Sequence, residues 1–268
     1  MPCPAFSNLI QLPPMMDATQ RFSSRVDNYA RYRPHYPQAV IESLREECRL
    51  IPASLIADIG SGTGRLTELF LQNGNPVFAV EPNREMREAG ERLLGNFPGL
   101  RSVDGRAEAT TLSDQSVDFV VTGQAFHWFD LKAAREEFLR ILRPAGWVMI
   151  VWNEREMTTT PFLIAYEQIL KRFATEYSLV DYKKAYKGAL ADFYGISGYE
   201  SRTFSYRQSF DFAGIQGRLL SSSYTPEAGH PDHEPMLAEL SKIFQTHQVE
   251  NQVAFEYITR MYFGRLVR

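Results

Sequence analysis

Cysteine is nearly missing: Cys3 and Cys48 are the only two among 268 residues. Two thiols make neither a disulfide framework nor a metal cluster, so the expected compartment is a reducing one, the cytoplasm. Long apolar runs are missing as well. The most apolar stretch, around Trp147–Trp152, falls far short of the ~20 residues that cross a bilayer, and no membrane partner is expected. Residues 1–16 lack a basic start and an apolar middle and carry four prolines, which excludes a secretory signal. Residues 1–20 read as a disordered leader, with Met15 or Met16 an alternative start. There is no excess of positive charge: 29 Lys and Arg stand against 32 Asp and Glu, a balance of −3. A domain-wide basic field for nucleic acid is thereby excluded, and no nucleic-acid partner is expected. Histidine numbers five. His230 and His233 lie in a loop rich in Pro, Glu and Asp without further ligands, so a solvated loop is expected there and no metal site. His247, on an apolar helical stripe, reads as structural.

What is present is an ordinary globular composition, 44% hydrophobic and 23% charged, enough to bury a core without staples. Between residues 55 and 152, short apolar runs alternate with amphipathic stretches. The runs Leu55–Ile59, Val77–Val80, Leu100–Val103, Val117–Val121 and Trp147–Trp152 read as strands buried on both faces. Between them Leu66, Leu69 and Phe70 recur at helical spacing, as do Met86, Ala89, Leu93 and Leu94, with Gly95 as a C-cap. Leu131, Ala134, Phe138, Ile141 and Leu142 follow Asp130 as N-cap, and Pro144 and Gly146 end that helix. Strand–helix alternation predicts an α/β fold: a doubly wound, mostly parallel sheet with right-handed crossovers. From Thr158 to about Gly198 the spacing is mainly helical, with Tyr166, Tyr177, Tyr182, Tyr186 and Tyr194 scattered through it. Phe204, Tyr206, Gln208 and Phe210 then alternate with polar residues, and Val253, Phe255 and Tyr257 alternate again. One domain over 21–268 is expected. It has a core at about 50–153, a helical cover at about 158–224, and late strands at about 201–210 and 252–260.

The most informative stretch is Ile56-Ala-Asp58-Ile-Gly60-Ser61-Gly62-Thr-Gly64-Arg-Leu66, placed after a strand and before a helix. Glycines there allow a tight turn and a close ligand approach, and helix-terminal N–H groups would face an anion in the turn. Seventeen residues after Gly64 the second strand ends in Val80-Glu81-Pro82-Asn83, where an acid can accept from two ribose hydroxyls. A dinucleotide fingerprint counted from Gly60 needs its third glycine at position 65, which is Arg. The carboxylate of Asp58 beside the loop suits an ammonium group better than a diphosphate. A nucleoside cofactor that also carries an ammonium is S-adenosylmethionine (SAM).

With these residues in view, Asp58–Gly64 resembles motif I of class I SAM-dependent methyltransferases, and Val80–Asn83 resembles the ribose-binding acid that follows it. Gly105-Arg-Ala107-Glu108 is similar to the segment lying along the adenine. Asp118–Thr122 with Gly123-Gln124-Ala-Phe-His127-Trp128-Phe is similar to strand 4 and its loop, and Leu142-Arg-Pro144-Ala-Gly146-Trp to the turn into strand 5. More narrowly, Tyr29-Ala-Arg-Tyr-Arg33-Pro-His-Tyr36-Pro, Phe126–Phe129 and Gly217–Tyr224 look like the small-molecule type-11 group that includes trans-aconitate methyltransferase-like proteins. The resemblance implies a seven-stranded sheet, SAM as cofactor and S-adenosylhomocysteine as product. It departs at Arg106, where many relatives carry the acid that reads the adenine amino group. Glu108 or backbone near Ala107 stand in for it.

Each candidate has a plain alternative. Gly60, Ser61, Gly62 and Gly64 either hold cofactor or merely turn the chain. Glu81, with Pro82, either reads a ribose or is a solvated strand-end acid, and Asp58 either meets a ligand or braces the loop. Met86 either packs or touches adenine; Gln124 stands in the strand-4 loop beside the cofactor. His127 is either a general base or a packed histidine beside Trp128. Tyr29, Arg33 and Tyr36 either close over the site, with cation–π attraction for a sulfonium, or pack on the sheet. Arg65 either meets the methionine carboxylate of the cofactor or is a solvated helix residue, the second being preferred. The expected reaction is methyl transfer to an O or N of a small molecule by in-line displacement. A carboxylate-bearing acceptor is suggested at the level of resemblance, with Arg33, Arg207 and Arg218 as possible anchors. The rivals are a non-catalytic SAM-binding or partner subunit, a macromolecule methyltransferase and a nicotinamide-dependent oxidoreductase. Neither monomer nor homodimer is preferred.

Overall fold

A computed structural model describes residues 26–175 and 182–267. The leader expected over 1–20, Tyr177 and the side chains of Tyr182 and Tyr186 lie outside what it describes. Two helices, α1 (Val26–Tyr32) and α2 (Ala39–Cys48), precede the alternating core. The core runs β1 (Ile56–Ile59), α3 (Arg65–Gln72), β2 (Val77–Val80), α4 (Arg84–Leu94), β3 (Leu100–Val103), β4 (Val117–Gly123), α5 (Leu131–Ile141) and β5 (Leu142–Arg155). Helices α6 (Pro161–Phe173) and α7 (Tyr182–Tyr194) follow, then β6 (Glu200–Phe210), α8 (Phe212–Leu220), α9 (His233–His247) and β7 (Val253–Gly264).

The seven strands form one sheet in the order β3-β2-β1-β4-β5-β7-β6. Strands β1 to β5 are parallel, whereas β7 runs antiparallel to both β5 and β6. The fold is the α/β, Rossmann-like sheet expected from the alternating pattern, with both late strands added at the β5 edge. Chain direction across the sheet reverses between β1 and β4, so the loops leaving their C-terminal ends diverge and open a crevice, the usual ligand position in such sheets.

Two-sided burial explains why β1, β2, β4 and the middle of β5 read as apolar runs, whereas β3, at one edge of the sheet, is half-buried to exposed and not buried on both faces as expected. Ala57, Val120, Val148 and Ile150 pack into one helical layer, while Ile56, Phe119, Val121 and Met149 pack into the other. β6 is the other edge of the sheet and mostly alternates between half-buried and exposed residues, as its sequence does. Caps set several helix starts. Asp130 accepts from Lys132 N and Ala133 N, and Asn83 accepts from Met86 N, a cap not anticipated. Gly95 does stand at the C-cap of α4, but in right-handed geometry. Helices α6, α8 and α9 build a third core with β6 and β7, through Phe162, Tyr166, Ile215, Leu240, Phe244 and Phe255. That cover therefore continues past residue 224. His233 is also buried, at 8% exposure, with Nδ1 2.9 Å from the Pro226 carbonyl, rather than solvated as its loop composition implied. No helix among the described residues is long and apolar enough to cross a membrane.

Candidate cofactor and acceptor site

At the crevice between β1 and β4 lies a cavity of about 650 Å³. β1 and the turn after it supply Asp58 and Gly60 to Thr63; the end of β4 and the turn after it supply Gly123, Gln124, His127 and Trp128. Tyr29, Arg33 and Tyr36 come from the chain around α1, and Trp152 to Arg155 from the end of β5. Helix α6 adds Glu167 and Lys171, while α8 and the loop after it add Arg218 and Tyr224.

The β1 turn is built backbone to backbone. Gly60 N and Ser61 N donate to the Val80 carbonyl at 2.9 and 3.2 Å, and Gly64 N donates to the Ser61 carbonyl at 2.9 Å. Gly62 N donates to Glu81 Oε2 at 2.8 Å. These four amides are engaged within the protein and are not themselves free to cradle an anion. Gly60 is required by its φ of 69° and because a Cβ would sit 2.6 Å from that of Ala125.

Asp58 points from β1 beneath this turn and is fully buried. Its Oδ2 accepts from Thr67 Oγ1 at 2.6 Å, while Oδ1 has no hydrogen-bond partner. Burial pushes the carboxyl up to about 7; the Thr67 hydroxyl opposes the rise, Glu81 adds to it, and the Thr67 backbone N–H opposes it more weakly. An unsatisfied acceptor on a cavity wall is a costly arrangement that a donor from a ligand would relieve. Glu81 is turned toward the loop. Its two oxygens accept from Gly62 N and, at 2.9 Å, from Asn83 N; burial pushes its carboxyl up and those two amides oppose. It lies behind the glycine turn and outside the cavity lining, as do Gly64, Pro82, Met86, Ala107 and Glu108. Met86 packs with Val26 and Ala89. Glu108 accepts from Asp130 N at 2.8 Å and faces Arg106 at 3.8 Å, bracing the start of α5.

On the opposite wall, Gln124 takes a left-handed φ of 60°, held by its N–H to the Val151 carbonyl (3.1 Å) and its Nε2 to the Asn153 carbonyl (3.0 Å). Strain of this kind at a cavity lip persists only where the surroundings over-determine it. It delivers the chain into a 3-10 turn, Phe126–Trp128, that buries Phe126 against Trp152 and Phe193 and leaves His127 half-buried on the cavity. Arg65 is not a solvated helix residue. It lines the cavity, donates to the Ala30 carbonyl, and meets His35 Nε2 at 2.6 Å, tying the α1 segment over the loop. Asn153 Nδ2 adds a second tie, 3.0 Å from the His35 carbonyl. Trp152, Arg155, Glu167 and Lys171 also line the cavity and were not expected; they come from far along the chain and carry no local motif, while Tyr224 ends the Gly217–Tyr224 stretch singled out in the sequence. Among the described residues, no group of three or more His, Cys, Asp or Glu side chains is placed to hold a metal ion.

Residues 57–150 match the family model described as a methyltransferase domain. Over 245 residues the chain is 29% identical to an uncharacterized methyltransferase of Schizosaccharomyces pombe, covering 90% of this chain and 95% of that protein. It is 39% identical over 142 residues to an uncharacterized methyltransferase of Mycobacterium tuberculosis, 52% of this chain and 55% of the relative. Among solved structures, a protein provisionally described as a type II methyltransferase from Anaeromyxobacter dehalogenans superposes with a TM-score of 0.68 at 21% identity, covering 88% of this chain and all of that one. The likeness is one of fold.

Proposed function

We propose that this chain is a SAM-dependent methyltransferase that transfers a methyl group to an O or N of a small, carboxylate-bearing molecule. The observation that carries the reading is the orphaned Asp58 Oδ1 on the cavity wall beside the glycine turn. A ligand ammonium satisfies that acceptor and supplies the counter-charge that would draw the carboxyl back to its ionised form. A nicotinamide dinucleotide offers the site a diphosphate instead, for which the loop amides are already engaged. When bound, SAM supplies the electrophilic methyl on a sulfonium, whose charge disappears on transfer.

The chain's own residues then have to align and enclose. Asp58 fixes one end of the cofactor from below the turn. Glu81 retains lone pairs on both oxygens for ribose hydroxyls once the loop adjusts around Gly62. His127 and Trp128 form the lip between cofactor and acceptor, with His127 available as the group that takes a proton from a neutral acceptor. Tyr29 and Tyr36, held over the cavity by the Arg65 and Asn153 ties, exclude water. Alignment of two bound reactants can supply on the order of 7–11 kcal/mol of the barrier, so little further chemistry is asked of the protein.

Calorimetric titration with S-adenosylhomocysteine, beside NADH and the Glu81→Ala variant, tests the cofactor. Binding weakened at least 10-fold by Glu81→Ala, with no NADH binding, supports the reading. Preference for NADH overturns it. Formation of S-adenosylhomocysteine from SAM in a panel of small acids and amines separates a catalyst from a SAM-binding partner subunit.

A further inference from the structure

The cations around the cavity are unequally matched. Arg155 and Lys171 share Glu167, at 2.5 and 3.8 Å, and Arg65 faces Glu68 at 3.9 Å. On the acidic side, Glu154 is taken by Arg260 at 3.0 Å. Arg33 and Arg218 face no carboxylate among the described residues. Arg218 is only 6% exposed and donates to neutral hydroxyls, Tyr257 Oη at 3.2 Å and Ser221 and Ser222 Oγ at 3.4 Å each. Arg33 gives one N–H to the Ser221 carbonyl at 3.0 Å, stacks 4.9 Å from the Tyr29 ring centre, and keeps a buried Nε without a partner. Burial and the neighbouring Arg218 both act against its charge. Two guanidiniums buried together with neutral partners leave a desolvation cost that an anion between them would offset. A forked guanidinium is also the geometry that reads a planar carboxylate.

We propose that Arg33 and Arg218 form the subsite that grips a carboxylate of the methyl acceptor and so determine which acceptors the enzyme takes. The inference rests on the methyltransferase reading and adds to it the residues that select the substrate. A carboxylate is favoured over a phosphate because Asp58, Glu154 and Glu167 line the same cavity and disfavour a second negative charge on the gripped group itself. The two arginines also belong to different elements. Arg33 follows α1 and Arg218 lies in α8, and these helices pack so closely that a Cβ on Gly217 would have no room beside the Tyr32 ring. A carboxylate held by both arginines therefore fastens the α1 segment to the cover while the acceptor is bound.

The test uses the full chain saturated with S-adenosylhomocysteine, titrated by calorimetry with glutarate, benzoate, dimethyl glutarate and inorganic phosphate. At least one carboxylate is expected to bind, and the neutral diester not. Arg33→Met and Arg218→Met should each weaken that carboxylate by 10-fold or more, about 1.4 kcal/mol, with the affinity for S-adenosylhomocysteine unchanged within twofold. Arg33→Lys, which keeps the charge and loses the fork, should fall between and serves if Arg218→Met does not fold. Equal carboxylate binding by wild type and Arg33→Met, or no carboxylate binding at all, overturns the proposal; so does phosphate binding tighter than every carboxylate. Failure of the wild type to bind S-adenosylhomocysteine is a different result and overturns the methyltransferase reading instead.

Discussion

Asp58→Asn removes a charge that the fold holds at a cost and that, in the proposed function, meets the ammonium of the cofactor. Burial raises this carboxyl from 3.8 to about 7. Between those values the folded protein keeps a proton that the unfolded chain has released, so the Asp58 contribution to stability falls as pH rises through that window. Above it both states are ionised and the loss is complete. At about 1.4 kcal/mol per pH unit the whole effect is on the order of 4 kcal/mol. The asparagine still has to place an amide in the same dry pocket, which returns part of that gain. D58N should therefore be more stable than wild type by about 2–4 kcal/mol at pH 8, with the difference shrinking toward pH 4. Urea unfolding across that range measures it. The same variant should bind S-adenosylhomocysteine at least 10-fold more weakly. In the wild type a ligand ammonium drives Asp58 to its ionised form, so binding should release about half a proton at pH 7, read by calorimetry in two buffers of different ionisation enthalpy. A D58N protein that is less stable at pH 8, shows no pH-dependent difference and binds the ligand normally would refute the reasoning.

Gly60→Ala puts a methyl group against Ala125 at a φ that disfavours any side chain. A cost of about 1–3 kcal/mol by thermal melting is expected, with cofactor binding weakened at least 10-fold. Glu137, which accepts from Thr110 N at 2.7 Å and Thr110 Oγ1 at 2.6 Å, is held down to about 2: burial opposes this, but Arg140 and Thr110 outweigh it. Its stabilising contribution is present above pH 4.5 and lost as pH falls toward 2, so Glu137→Gln should cost about 1–3 kcal/mol at pH 7 and flatten the acid limb of the unfolding curve. Tyr194 Oη lies 3.2 Å from the carbonyls of both Val148 and Tyr262, bridging β5 and β7. Tyr194→Phe should cost about 1 kcal/mol in urea unfolding and leave S-adenosylhomocysteine binding unchanged.

The parallel core was legible because β1, β2, β4 and the middle of β5 are buried on both faces, and a largely apolar run is what such a strand requires. Val77–Val80 and Leu100–Val103 match the structure residue for residue. The glycine turn and Asp58 were legible for a similar reason: a tight turn and a carboxylate beneath it are adjacent in the chain. The other half of the cavity was not. Arg155, Glu167 and Tyr224 meet only because the cover folds back over the sheet, and no spacing rule connects them. Arg65 failed on a different ground. Its helical position resembles a solvated one, and only the placement of α1 above it creates the acceptors it uses. His233 is not solvated as its loop's composition suggests, because the loop folds back so that the Pro226 carbonyl, seven residues earlier, meets its ring.

Strand order carries a consequence for how the molecule is made. β7 follows β6 in the chain, yet it lies between β5 and β6 in the sheet. Until residues 253–264 have left the ribosome, β5 presents a bare edge of unpaired backbone groups and β6 has nothing to pair with. A nascent chain can complete the five parallel strands early, but it carries an aggregation-prone border through the synthesis of α6 to α9. Insertion of β7 then joins both sides at once, over eight residue pairs with β5 and eleven with β6. Chaperone demand should therefore concentrate in that interval, and a chain arrested before Val253 should be the form that aggregates.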